Sequence, residues 1–190
     1  MATVKCQICI VKDEKHLMTQ LPNRRYVHTE KCLEIYEQQE ELKKKEKLDW
    51  SNLYEYIKEL HGLIEVPTRN IKRLHELRNG YDFVEGKKVK RYKQGADYAL
   101  MLEAYKLQEE KIRWFIRDVL HDGKDASDIN KCISLMLNGL NTAWKNRQDK
   151  IKQQERIEKA TTTLTEDDKS LITFNKTKKH NDEMDISHLL

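Results

Sequence analysis

Proline and glycine are scarce in this chain, at two and six of 190 residues, so the frequent turns of an all-β protein have little to be built from and long helices are expected. No stretch approaches the roughly 18 apolar residues of a membrane span, and the first residues lack the apolar run of a signal peptide, so a cytoplasmic protein is expected. A Gly-rich phosphate loop and a nucleophile elbow are both missing, and His75-Glu76 lacks the second histidine of a zinc protease helix. The acidic residues are scattered over polar helical stretches, and no enzyme is expected. Cysteine is too sparse for a disulfide scaffold: three of the four share one metal-type spacing, and Cys132 lies 100 residues beyond Cys32 in a helical pattern, where it reads as a small core residue.

Charge is plentiful. Asp, Glu, Lys and Arg make up 36% of the chain, against about 25% in an average globular protein, which suits long solvated helices. Three Phe, three Trp and eight Tyr still supply material for a core. The expected fold is mostly α: an N-terminal treble-clef-like zinc finger, made of a short β-hairpin plus a helix, followed by a helical domain with a long antiparallel helix pair.

Cys6, Cys9, His28 and Cys32 stand in the order C-x2-C-x18-H-x3-C. Two cysteines three apart bend the backbone into a knuckle that aims both sulfurs at one point, and a His and Cys four apart meet on one helical face. Three thiolates and an imidazole suit tetrahedral Zn2+ with no open position. Pro22-Asn23 reads as the hairpin turn, Arg24 to Val27 as the return strand, and Thr29 as the cap of a helix beginning near Glu30. A unit this small needs the metal to fold, a contribution on the order of 10–16 kcal/mol. His16 is the competing histidine and reads as solvent-exposed.

We expect the zinc-finger module over residues 1–36, a polar connecting helix over 37–49, a helical domain over 50–160 and a flexible tail over 161–190 that ends in a short apolar motif, Met184 to Leu190. Within the helical domain Trp50, Leu53, Tyr54, Ile57 and Leu60 share one helical face that ends at Gly62; Pro67 opens a second, short helix that ends at Asn79-Gly80. The pair has a helix-turn-helix shape. Segment 67–93 holds nine basic residues against three acidic, a local net of +6 in a chain whose total is +4. The candidate nucleic-acid contacts are Arg69, Lys72, Arg73 and Arg78 on the helix and Lys87, Lys88, Lys90 and Arg91 in the following stretch, which reads either as a β-hairpin wing or as a basic loop whose Tyr81, Phe83 and Tyr92 pack on the core. Two further apolar faces, Tyr98 to Val119 and Ile129 to Trp144, are expected to pack as the antiparallel pair.

The Cys-x-x-Cys, the run Tyr26-Val27-His28-Thr29-Glu30-Lys31-Cys32, the Leu53 to Lys58 helix, Val66-Pro67 and the Met184-Asp-Ile-Ser tail together resemble small zinc-finger proteins of Gram-positive phages and mobile elements. The resemblance implies an intracellular bacterial or viral setting and brings no activity with it. Two functions follow as expectations. One is a nucleic-acid-binding or regulatory protein, with the helical pair giving rigidity or a homodimer surface. The alternative is an adaptor that binds a host or phage protein through the zinc finger, the helices or the C-terminal motif.

Overall fold

The computed structural model describes residues 2–84, 87–120 and 123–162. Among these the order is β1 (Thr3–Lys5), β2 (Lys12–Glu14), β3 (Met18–Gln20), β4 (Tyr26–His28), α1 (Lys31–His61), α2 (Thr68–Arg78), β5 (Tyr81–Val84), β6 (Lys87–Lys90), α3 (Tyr98–Leu107), α4 (Glu109–Asp118) and α5 (Ala126–Thr162). The fold is mostly α. The flexible-tail expectation falls outside the described residues.

Three antiparallel ribbons, β1–β2, β3–β4 and β5–β6, carry all the strands. The first two fold with the start of α1 around a small core of Cys6, Met18, Leu21 and Val27, edged by Val4, Ile8, Tyr26, Leu33 and Tyr36. The β3–β4 turn is built at Pro22-Asn23 as expected: Leu21 N donates to Arg25 O at 2.8 Å, and Asn23 Oδ1 accepts from Arg25 N at 3.0 Å.

The polar stretch 37–49 and the apolar stretch after it are one helix, because nothing between Lys31 and His61 breaks the backbone series. Gly62 stops it in the left-handed conformation, φ 60° and ψ 42°, which costs glycine no Cβ clash. α1 packs its last three turns, through Leu53, Ile57 and Leu60, into a second and larger core with Leu74, Met101, Tyr105, Ile112, Ile133 and Met136. Pro67 is the cap residue just before α2, one position earlier than expected.

The expected long helix from Tyr98 to Val119 is two helices that meet at Gln108, whose φ of −104° and ψ of 7° leave the helical range. The apolar series skips a turn there: Gln108 and Glu109 stand between Tyr105 and Ile112, so no buried side chain holds the axis straight. α5 closes on α3 at Gly139, where an added Cβ would lie 3.0 Å from Gln108 Cγ and 3.1 Å from the Ala104 carbonyl. Two expected core residues lie outside. α4 ends at Asp118 and the Leu120 amide bonds back to Phe115 O, which buries Leu120 and exposes Val119. On α5 the buried position is Ala143, and Trp144 is exposed. Residues up to Lys145 form one compact unit; the second is described from Asn146 to Thr162 as the rest of α5, with side chains mostly exposed as far as Lys159.

Candidate metal centre and basic groove

Cys6 follows directly on β1, and its knuckle is held by Cys6 N to Val11 O at 2.9 Å and Ile10 N to Cys6 O at 3.2 Å. Gln7 N donates to Tyr26 O at 2.9 Å, which ties the knuckle to β4 and so to His28 at that strand's end. Ile10 takes φ 67°, a left-handed conformation that a β-branched residue adopts only under constraint. Cys32 is the second residue of α1.

His28 therefore reaches the cluster from a strand, and the expectation of a shared helical face with Cys32 is corrected. The turn Thr29-Glu30 brings the two together. Thr29 is no cap either: its hydroxyl donates to Leu17 O at 3.2 Å across the hairpin, and the helix begins after Glu30.

One ligand atom from each of Cys6, Cys9, His28 and Cys32 lies within 4.8 Å of every other. Metal–sulfur bonds of about 2.3 Å in a tetrahedron put sulfurs roughly 3.8 Å apart, so the four need only a small contraction to share one ion. Burial raises the Cys6 thiol, but backbone N–H groups of Cys9, His28 and Ile8 prevail and draw it down to about 6. Cys32 is pushed up to about 11, first by desolvation and then by the sulfurs of Cys6 and Cys9 beside it. Sulfurs this close oppose one another's ionisation, a repulsion that a cation between them would relieve. The set is compatible with a metal site.

His28 has a partner that sequence reasoning missed. Its Nδ1 lies 3.3 Å from Cys9 Sγ, on the metal side, and its Nε2 lies 3.6 Å from Asp13 Oδ2. A carboxylate behind a ligating imidazole fixes the tautomer that leaves the other nitrogen free for metal. Asp13 stands in β2 among Lys12, Glu14 and Lys15, and nothing in that run singles it out. His16 is exposed and pairs with Glu14 at 3.3 Å, away from the cluster.

Of the eight candidate nucleic-acid residues, four already have partners within the fold and four have none that is charged among the described residues. Arg78 donates to Glu46 at 2.8 Å, Lys88 to Glu76 at 2.8 Å, and Arg91 pairs with Asp82 at 3.3 Å. Arg73 turns inward, its Nη1 on Asn130 O at 2.8 Å and its Nη2 on Ser134 Oγ at 3.1 Å. Among the described residues Arg69, Lys72, Lys87 and Lys90 are exposed and make no ion pair. The stretch after α2 is a hairpin, with Lys88 Nζ 4.1 Å above the Tyr81 ring. Tyr92, one of the three aromatics that the loop reading would pack on the core, is exposed. His75 packs on Trp50 and shares a 2.7 Å hydrogen bond with the Tyr98 hydroxyl, which gives it a structural task.

A groove of about 520 Å³ opens between α2, β6 and α5, lined by Arg69, Lys72, Arg73, Glu76, Lys88 and Asn130. No helix among the described residues is long and apolar enough to cross a membrane. A protein-family model described as SPbeta prophage protein YorH matches residues 6–188, a span that opens on the first cysteine of the cluster and includes the whole groove. No curated protein and no solved structure matches the chain.

Proposed function

We propose, from the premise that the chain belongs to the SPbeta prophage protein YorH family, that it is a phage-encoded nucleic-acid-binding protein with a structural zinc ion. The observation that carries the nucleic-acid reading is the pairing of α2 with the β5–β6 hairpin. Arg69, Lys72, Lys87 and Lys90 stand on these two neighbouring elements, exposed and without counter-ions among the described residues. Cations presented by a helix and a ribbon beside it suit a phosphate backbone. Zinc is favoured by the donors: three sulfurs and one imidazole nitrogen are soft or borderline, and four protein ligands close a tetrahedral ion to water. The ion then holds the module together and takes no part in a reaction.

The test is fluorescence anisotropy with a labelled duplex and a labelled single strand at two salt concentrations, together with metal analysis of the purified chain. Four phosphate contacts on duplex DNA give a slope of about −3.6 in log affinity against log salt. Arg69→Glu with Lys72→Glu should lower affinity at least tenfold with far-UV dichroism unchanged. Affinity absent at low salt sinks the nucleic-acid reading, and zinc far below one per chain sinks the metal reading.

One observation supports the adaptor alternative. Ile10, Val11 and Leu17 all project into solvent from the metal module, at 62%, 57% and 52% exposure, an apolar trio suited to a protein surface. Cross-linked partners recovered by the native chain and lost from Ile10→Ser with Leu17→Ser would favour it; equal recovery by both would end it.

A further inference from the structure

We infer that the groove between α2, β6 and α5 seats one phosphate group, held between Arg73 and Asn130 at its floor and Arg69, Lys72 and Lys88 at its rim. The inference deepens the nucleic-acid reading by naming a single seat, and rests on that reading only for what carries the phosphate. The lining has four cations and one carboxylate. That carboxylate, Glu76, is already engaged by Lys88 at 2.8 Å. The lining therefore carries more positive than negative charge.

Arg73 makes the seat more than a basic patch. Its guanidinium is half-buried, yet both its hydrogen bonds go to neutral acceptors, the Asn130 carbonyl and the Ser134 hydroxyl. Its Nε is buried without a partner, and the Asp82 carboxylate, which pairs with Arg91, acts on it as a neighbouring charge. Burying a charge without a paired counter-charge is costly, and desolvation, against the smaller raising effects of Tyr105 and the Asp82 carboxylate, draws the Arg73 pKa below that of an ordinary arginine. An anion in the groove supplies the missing charge. Its two neutral acceptors also fix the guanidinium in advance, so little rotamer freedom is lost when the anion arrives.

Asn130 adds directional character. Its Oδ1 accepts from Asn70 Nδ2 at 3.0 Å, and Asn70 in turn is held by the Ala126 carbonyl at 2.9 Å. This leaves the Asn130 amide N–H groups as donors in the lining. The volume, about 520 Å³, lies within the ~300–1,000 Å³ of small-ligand pockets. A phosphate with an attached sugar fits such a space better than a bare ion fills it. The carrier is either a nucleic-acid backbone or a small phosphate ester, and the experiment separates the two.

Inorganic phosphate, a ten-nucleotide single strand and a ten-base-pair duplex are each titrated into the isotope-labelled full chain, with the Arg73 Nε–H and Asn130 side-chain amide signals followed by NMR. Asn130→Asp keeps the bond from Asn70 while it removes the donors and adds a negative charge; Lys72→Ala alters an exposed side chain. We expect phosphate to shift both signals, Lys72→Ala to weaken it severalfold and Asn130→Asp by at least tenfold, with Lys152→Ala as an unaffected control. If the oligonucleotides follow the same order, the backbone is the carrier. If phosphate does so and the oligonucleotides do not bind, the seat stands for a small phosphate ester and the nucleic-acid reading fails. Oligonucleotide binding that Asn130→Asp leaves intact, with neither signal moved by phosphate, overturns the seat and spares the nucleic-acid reading. Phosphate binding insensitive to both substitutions overturns it as well.

Discussion

Asp13 and His61 show how single side chains set conditions that no motif records. Asp13 Oδ2 lies 3.6 Å behind the His28 ring, where in the proposed zinc site it would orient the imidazole toward the ion, and loss of such an outer carboxylate typically costs 10–100-fold in metal affinity. Asp13→Asn should therefore weaken zinc about tenfold in a chelator competition, with helical dichroism unchanged. Equal affinities would reduce Asp13 to a surface charge. His61 poses a different problem. Its Nδ1–H donates to Gly123 O at 2.7 Å, and its Nε2 is buried without a partner. Desolvation lowers its pKa against the raising effects of the Gly123 carbonyl and the Asp128 carboxylate. A depressed folded pKa means that the unfolded chain takes up the proton first, so stability falls as pH drops below about 6.5, the ordinary histidine value, and is unaffected by this group above it. The urea midpoint should decline from pH 7 toward pH 5.5 in the native chain and less steeply in His61→Asn, which keeps a donor for Gly123. Parallel declines would clear His61 of the effect. That Cys6, Cys9, His28 and Cys32 come together was legible because cysteine chemistry leaves a spacing in the sequence. Asp13 and His61 were not, because their roles depend on what the fold places opposite them.

Helix ends were legible where a residue has only one good place to stand, as with Gly62 in its left-handed cap and Pro67 before α2. The three-residue strands of the metal module gave almost no alternation to read, and β1 went unseen for that reason. The break at Gln108 has no proline or glycine to announce it; its only trace is the missing apolar turn between Tyr105 and Ile112. This break matters for packing, since Gln108 is the residue that α5 meets at Gly139. A Leu side chain at Gly139 would drive the two helices apart in a close-packed interior, at a cost of about 1–3 kcal/mol. Gly139→Leu should lower the denaturation midpoint by a corresponding amount. Gly139→Ala sets a tight Cβ contact against about 1 kcal/mol of helix propensity in its favour, so it should change the midpoint far less. If the leucine variant matches the native chain, α3 and α5 are not in close contact there. Across α2 and the hairpin after it, half of the eight cations proposed for ligand contact are ion-paired or turned inward. Charge counts do not reveal which lysines and arginines the fold uses for itself.

The two cores share no member. One gathers Cys6, Met18, Leu21 and Val27; the other runs from Leu53 to Ala143 and is helical but for Val66 and Leu120, which join it from the connections. Between them α1 runs through residues 37–48 with nearly every side chain in water, including Leu42 at 67% and Leu48 at 60% exposure. A helix propagates backbone hydrogen bonds along its axis but carries little packing information where no side chain is buried, so the ends of α1 are stabilised by different neighbours. The N-terminal module has four buried apolar residues and strands of three residues each, too little to offset the ordering of its chain unaided, so on the zinc proposal its stability is expected to track the ion. Chelation should then abolish hydrogen-exchange protection in β1 to β4 and in the first turn of α1, while amides near Leu53, Met101 and Met136 keep theirs. The converse follows from the same separation: Gly139→Leu should lower the protection of the helical core and leave zinc affinity as it was. A single cooperative loss of protection in both cores on chelation would mean that α1 couples them after all. The ion would then hold the groove residues of α2 and α5 in place as well as the finger, and zinc removal alone would be enough to lower phosphate affinity.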